Sequence, residues 1–270
     1  MTFRISFFLS LVFVAQVFAQ ENKTPEVKKQ IQPSRYDEDL LTKEFHKARR
    51  DALREMMPEN SVAVFFSSPV RNRANDVDYE YHQDPDFYYL TGLTEPNAAL
   101  IIFKEKQKVA DDNNEMIFVQ PRDPKSEVWT GHRLGTDGVE KNLGIRPAFV
   151  NEEFLKGGID FNKFTKVFNS KIYNDIRNDA DEKGDLYDMV QSFQKNTEHS
   201  SPDVQGTEVM MATLREIKLQ EELALLRKAI TMTCEAEKEL MRALTPGMTE
   251  YESEAIIEFF FKANGAEDVG

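Results

Sequence analysis

The last sixty residues set the strongest limit on what this chain can fold into. Residues 213–244 read as one long helix, which Pro246 and Gly247 stop. Thr249 opens a second helix, with Glu252 completing a capping box, and Asn264-Gly265 closes it. Leu219, Leu223, Leu226, Ile230, Cys234 and Leu240 mark one face of the first helix, and Ala255, Ile256, Phe259 and Phe260 stripe the second. Burying one large apolar side chain is worth about 1.5–3 kcal/mol relative to leaving it in water. A hairpin with two such faces therefore demands a partner layer. The expectation is that these helices open a domain whose remainder is absent, unless the stripe docks against 36–200.

Upstream, strands and helices alternate. Leu41, Phe45, Ala48, Ala52 and Met56 recur at helical spacing up to Pro58, which predicts an amphipathic helix with a charged outer face. His46, beside Arg49 and Arg50, is read on that outer surface. Ser61-Val62-Ala63-Val64-Phe65-Phe66 reads as a buried strand and 72–83 as a polar loop. Residues 98–103 and 116–119 are strands joined by an Asp111-Asp112-Asn113-Asn114 turn. Val139 to Leu143 suits a short helix capped by Gly144, and Val167-Phe168 a short strand. Leu186, Tyr187, Val190 and Phe193 fit a helix face, and His199-Ser200-Ser201-Pro202-Asp203 is linker-like. The alternation predicts an α/β domain with a mixed sheet.

Composition and the N-terminus narrow the function. Formal charge is −13, and phosphate binding needs a basic surface, so no nucleic-acid partner is expected. Residues 1–19 read as an export signal: Arg4 at the start, an apolar run over 5–17, and Val17-Phe18-Ala19 at the cut. Residues 20–35 read as a disordered linker. The chain is expected to be exported, periplasmic or extracellular, and to have no membrane span once the signal is cleaved. Cys234 is the only cysteine, so no internal disulfide can form, and its helical setting predicts a buried structural thiol.

Familiar catalytic spacings are absent. There is no G-x-S-x-G elbow, H-E-x-x-H pair, P-loop or dinucleotide glycine fingerprint. His82-Gln83-Asp84-Pro85-Asp86 carries metal-ligand residue types, but it reads better as an Asp/Pro-rich turn before a strand. Trp129-Thr130-Gly131-His132-Arg133-Leu134-Gly135 suits either the wall of a binding cleft or a core Trp in a strand-to-helix turn, and residue types leave both open.

Three stretches together resemble a known family. They are 82–92 with Glu95-Pro96-Asn97-Ala98, then Glu127-Val128-Trp129-Thr130-Gly131-His132-Arg133-Leu134-Gly135, then Leu214-Arg215-Glu216-Ile217-Lys218 continuing to Pro246-Gly247-Met248-Thr249-Glu250. In this order the chain resembles Xaa-Pro aminopeptidase (aminopeptidase P) from about residue 41 onward; prolidase and creatinase share the two-domain plan. The resemblance implies a creatinase-like α/β N-terminal domain over 36–203, its mixed sheet flanked by helices. It implies that 207–270 form a truncated helical start of the α+β pita-bread peptidase domain. It also implies a parent enzyme with two divalent metal ions, typically manganese, held by two Asp, one His and two Glu. Those five ligands fall beyond Gly270, so no metal ligand and no catalytic residue is assigned here, and the chain alone is expected to be inactive. One role transfers: Trp129 in the substrate pocket. An Arg supplied by a late loop in some relatives has no counterpart in Gln194-Lys195-Asn196-Thr197-Glu198, and His132 stands where many relatives carry Arg. Proline-containing peptides and a homo-oligomeric state are the implied partners. The alternatives are a non-catalytic oligomerisation or peptide-binding module and the N-terminal part of a prolidase.

Overall fold

Six consecutive buried residues, Ser61–Phe66, form the second strand from one edge of a five-stranded sheet. A strand covered on both faces needs no polar alternation. The computed structural model describes residues 40–179 and 182–266. The export signal over 1–19 and the linker over 20–35 lie outside the described residues. The strands are β1 Ser61–Phe66, β2 Asn72–Ala74, β3 Val77–Asp78, β4 Ala99–Gln107, β5 Asn113–Val119, β6 Ala148–Val150 and β7 Lys166–Asn169. The sheet order is β6-β5-β4-β1-β7, and β2 and β3 make a separate small ribbon within the stretch expected to be a loop. β1 runs antiparallel to β4 and parallel to β7, β4 antiparallel to β5, and β5 parallel to β6. The sheet is therefore mixed, as the sequence predicts.

Alternate side chains of a strand leave by opposite faces, and here each face has its own core. Ala63 and Phe65 join Leu100, Ile102, Ile117 and Val119 under one helical layer. Val62, Val64 and Phe66 join Ile101, Phe103 and Phe118 under the other. The helices are α1 Lys43–Met56, α2 Pro85–Thr91, α3 Glu127–Thr130, α4 Gly135–Gly138, α5 Leu186–Asn196, α6 Val204–Glu216, α7 Gln220–Ala243 and α8 Glu250–Ala263. α1, α2 and α6 cover the first face, and α5 with the 3-10 turns around Phe154 and Phe161 covers the second. At the tip of the β4–β5 hairpin Asp111 and Asp112 take φ of 50° and 59°, a left-handed conformation that short polar side chains tolerate.

Four expectations are corrected. First, α1 turns a different stripe inward: Phe45, His46, Arg50, Leu53 and Arg54 are buried, while Ala48 is exposed and Met56 is 38% exposed. The reason is Glu115 on β5. Arg50 donates to its carboxylate from Nε and a terminal nitrogen, both at 3.0 Å, and Arg54 donates to it at 3.0 Å. Buried charges are tolerated when paired and hydrogen-bonded, and the Arg fork suits a carboxylate. Second, 87–90 belong to helix α2, so the Asp/Pro-rich turn precedes a helix rather than a strand. Third, the helix read from residue 213 is two: α6 ends at Glu216 and α7 starts at Gln220. Lys218 Nζ donates to the carbonyls of Arg215 and Glu216, and Glu222 accepts from Leu219 N–H at 2.9 Å. Local side chains thus satisfy both helix ends at the break. Fourth, Cys234 is exposed.

α6 packs on α1 and β7 and sends Met210 and Met211 into the first core. That core therefore continues past residue 203. α7 and α8 pack on each other, yet Ile230, Met241 and Phe259 are 61%, 65% and 74% exposed. Among the described residues, no helix is long and apolar enough to cross a membrane.

Candidate functional site

The first and third stretches that carry the resemblance meet on α2, and the second is tied to the first just beyond it. Asp84 caps the helix, its Oδ1 accepting from the N–H groups of Asp86 and Phe87 at 3.0 and 2.9 Å, and Pro85 fills the first turn, where a missing N–H costs nothing. Asp84 Oδ2 accepts from the Tyr173 hydroxyl at 3.0 Å. Gly92 ends the helix at φ 73°, and a Cβ there would lie 2.7 Å from His46 Nε2. The third stretch docks on the outer side of this helix. Arg215 donates to Asp86 at 2.6 Å, its guanidinium lies 5.9 Å from the Tyr89 ring centre, and the Tyr89 hydroxyl donates to the Leu214 carbonyl. Burial pushes the Asp86 carboxyl above its ordinary range, and the bond from Arg215 opposes that shift. The polar cluster from His82 to Asp86 is thus a helix start and a docking point.

The second stretch hangs from the first through two side chains. Gln83 Oε1 accepts from Ser68 N–H at 2.9 Å, while its amide nitrogen donates to the carbonyls of Leu93 and Glu95 at 3.1 and 2.9 Å. Glu95 in turn accepts from Leu134 N–H through Oε1 at 2.7 Å, and its Oε2 is buried with no hydrogen bond. Burial raises the Glu95 pKa; the Leu134 bond and the Arg133 charge pull against it.

From this root the chain runs out to α3. Asp123 accepts from Ser126 Oγ at 2.7 Å and from Lys125 N–H at 3.0 Å, closing the turn before α3. Arg122 grips Glu127 with two bonds, 2.7 and 2.9 Å, and this pairing holds the Glu127 carboxyl below its ordinary range. At the tip Val128 and Trp129 are 78% and 88% exposed. Of the two settings left open by residue type, the structure excludes the core Trp: the indole stands in solvent on a turn whose base is tied down. His132 is exposed beside it, while Arg133 is buried and reaches Glu182 at 3.4 Å.

No group of three His, Cys, Asp or Glu side chains comes together among the described residues in a way that could hold a metal ion. The donors present do not fit a dinuclear centre, and no proton or hydrolytic step is assigned to this chain's own side chains. Sequence reasoning singles out Trp129 but not the side chains that hold its turn. Gln83 and Glu95 lie inside the quoted stretches, yet their partners are ten to forty residues away, and no local spacing marks such pairs. Arg122 and Glu127 are five apart, off the i,i+3 and i,i+4 rule, because a turn and not a helix joins them.

The family described as aminopeptidase P, N-terminal domain, matches residues 46–158. The Xaa-Pro aminopeptidase of Escherichia coli (strain K12) is 32% identical over 240 residues, covering 84% of this chain and 51% of that protein. Among solved structures, aminopeptidase P from E. coli with the inhibitor Pro-Leu aligns with a TM-score of 0.68 at 28% identity, over 84% of this chain and 50% of that one. Zn-substituted E. coli aminopeptidase P in complex with product aligns with a TM-score of 0.69 at 27% identity, over the same shares. The chain spans about half the length of the relatives it matches. It carries an aminopeptidase P N-terminal domain over residues 46–158 and is homologous to the N-terminal half of Xaa-Pro aminopeptidases.

Proposed function

We propose that this chain is the N-terminal portion of an exported Xaa-Pro aminopeptidase, a hydrolase that removes the residue preceding a proline. The single observation that carries the reading is Trp129, held out on a tethered turn within the half that is homologous to these enzymes. An aromatic face is apt for the apolar ring of proline. The complete parent would use two divalent metal ions, manganese being the expected pair, to activate water and polarise the scissile carbonyl. Among the described residues no set of side chains is able to grip them, and the expected outcome is that this chain by itself does not hydrolyse peptides. Export to the periplasm or the extracellular space rests on the pattern of residues 1–19. Homo-oligomerisation would let Trp129 serve a neighbouring subunit.

The test uses the purified 270-residue chain, an Ala-Pro-Ala peptide and added Mn²⁺. No cleavage is expected, while the peptide shifts Trp129 emission. Cleavage that a chelator stops would overturn the account of an inactive portion. The bare indole also favours a second reading, a peptide-binding module without catalysis. A complete gene product encoding no Asp, His and Glu ligands would favour that alternative.

A further inference from the structure

The geometry points to Arg122 and Glu95 as positioning residues that clamp the two ends of the Trp129 turn and so present its indole to a peptide in one orientation. The inference rests on the reading of Trp129 as a substrate contact.

The clamp has two jaws. On the incoming side Arg122 leaves the end of β5 just after Pro121 and closes a two-bond fork on Glu127, the first residue of α3. Its aliphatic stem lies over Gly135, where φ is 62° and a Cβ would sit 2.6 Å from Arg122 Cγ. The bare glycine backbone is therefore what lets the stem reach the fork. On the outgoing side Glu95 takes the Leu134 N–H. Glu95 does not float, because Gln83 holds its carbonyl and ties it to Ser68 beside β1. The path from the sheet to the Trp129 turn is thus a run of hydrogen bonds: Ser68 to Gln83, Gln83 to Glu95, Glu95 to Leu134.

The Arg122 fork does little for the core. Val128 and Trp129 bury almost nothing, and half of the Arg122 side chain is exposed. An ion pair with one partner half in solvent contributes little to global stability. Such tethering beneath a bare tip is accounted for by what it spares in binding. A loop that must be ordered by its ligand loses affinity to that ordering, and a fixed backbone does not. A rigid, exposed aromatic is also the residue type that dominates binding surfaces.

Trp129 is the only tryptophan in the chain, so fluorescence reports this turn alone. Time-resolved anisotropy of the full chain should show a small nanosecond wobble. Arg122→Ala and Glu95→Ala should each enlarge it, and Arg122→Ala should do so without moving the thermal midpoint by more than a few degrees. Glu95→Gln, which keeps an acceptor for Leu134, should restore the wild-type decay; Arg122→Lys, a point charge without the fork, should restore it only in part. Titration with Ala-Pro-Ala should weaken by roughly three- to tenfold in the two alanine variants. An unchanged wobble in both alanine variants overturns the positioning role. A wild-type emission that ignores the peptide overturns the contact reading alone, and the anisotropy then decides the clamp separately.

Discussion

His46 is a titratable ring sealed between α1 and α2. Its Nδ1 lies 3.0 Å from the Tyr89 carbonyl, and Gly92 offers it a backbone with no side chain. Burial holds its pKa below the ordinary 6.5, the Tyr89 bond opposes that shift, and the Arg50 charge adds to it. The unfolded chain therefore takes up a proton at this position before the folded chain does. Below about pH 6.5 the unfolded state binds more protons, so stability rises with pH through that window and is fully present above it. Acidification from pH 7 to pH 5 should lower the urea midpoint, and His46→Gln should flatten the slope. Equal slopes in the two proteins would remove His46 as the cause. The same neighbourhood shows where single residues escape a sequence reading. Arg50 and Arg54 look like solvent-facing charges at their own positions. Only the pairing of β5 with β4 brings Glu115 beneath them, and that contact spans about sixty residues.

At the scale of elements, local chemistry was a good guide wherever it closed on itself. The β4–β5 turn, the Gly144 cap, the strand at β7 and the capping box of α8 are all legible, because each is marked by residues that are near neighbours in the sequence. The break between α6 and α7 was not, since apolar spacing continues in phase while Lys218 and Glu222 end one helix and begin the next. α2 was misread because its seven residues are too few for a period to show, although Asp84, Pro85 and Gly92 spell out its cap, first turn and stop. That cap can be measured. Asp84 serves two backbone amides and one tyrosine hydroxyl, so its loss falls at the upper end of the range for N-caps, about 2 kcal/mol. Asp84→Ala should show this cost in denaturant unfolding, and Asp84→Asn, which keeps a capping oxygen, should recover most of it. A cost below about 0.5 kcal/mol for the alanine variant would mean that the first turn is held by packing and not by its cap.

The whole molecule divides by how its apolar surface is used. Two cores enclose the sheet, and α6 belongs to the first of them through Met210 and Met211. α7 and α8 pack mainly on each other and leave Ile230, Met241, Tyr251 and Phe259 in solvent. The sequence marks this hairpin as a pair of faces in need of cover; of the residues named for those faces Leu226, Ile230 and Phe259 are exposed, while Leu219, Leu223, Leu240, Ile256 and Phe260 are half-buried. It follows that the cooperative unit reaches to about residue 219 and not to the linker-like 199–203, since a cut at 203 would strip both methionines from the first core. A chain ending at 219 should keep a single sharp thermal transition, whereas one ending at 203 should lose several kcal/mol or fail to fold. Exposed apolar side chains bind the dye ANS, so the 270-residue chain should enhance ANS emission strongly and the chain ending at 219 should not. Ile230→Glu with Phe259→Glu should lower the dye signal in the full chain while leaving its transition in place. If the chain ending at 219 unfolds broadly or binds ANS as well as the full chain does, the hairpin is part of the folded unit and this division of the molecule is wrong.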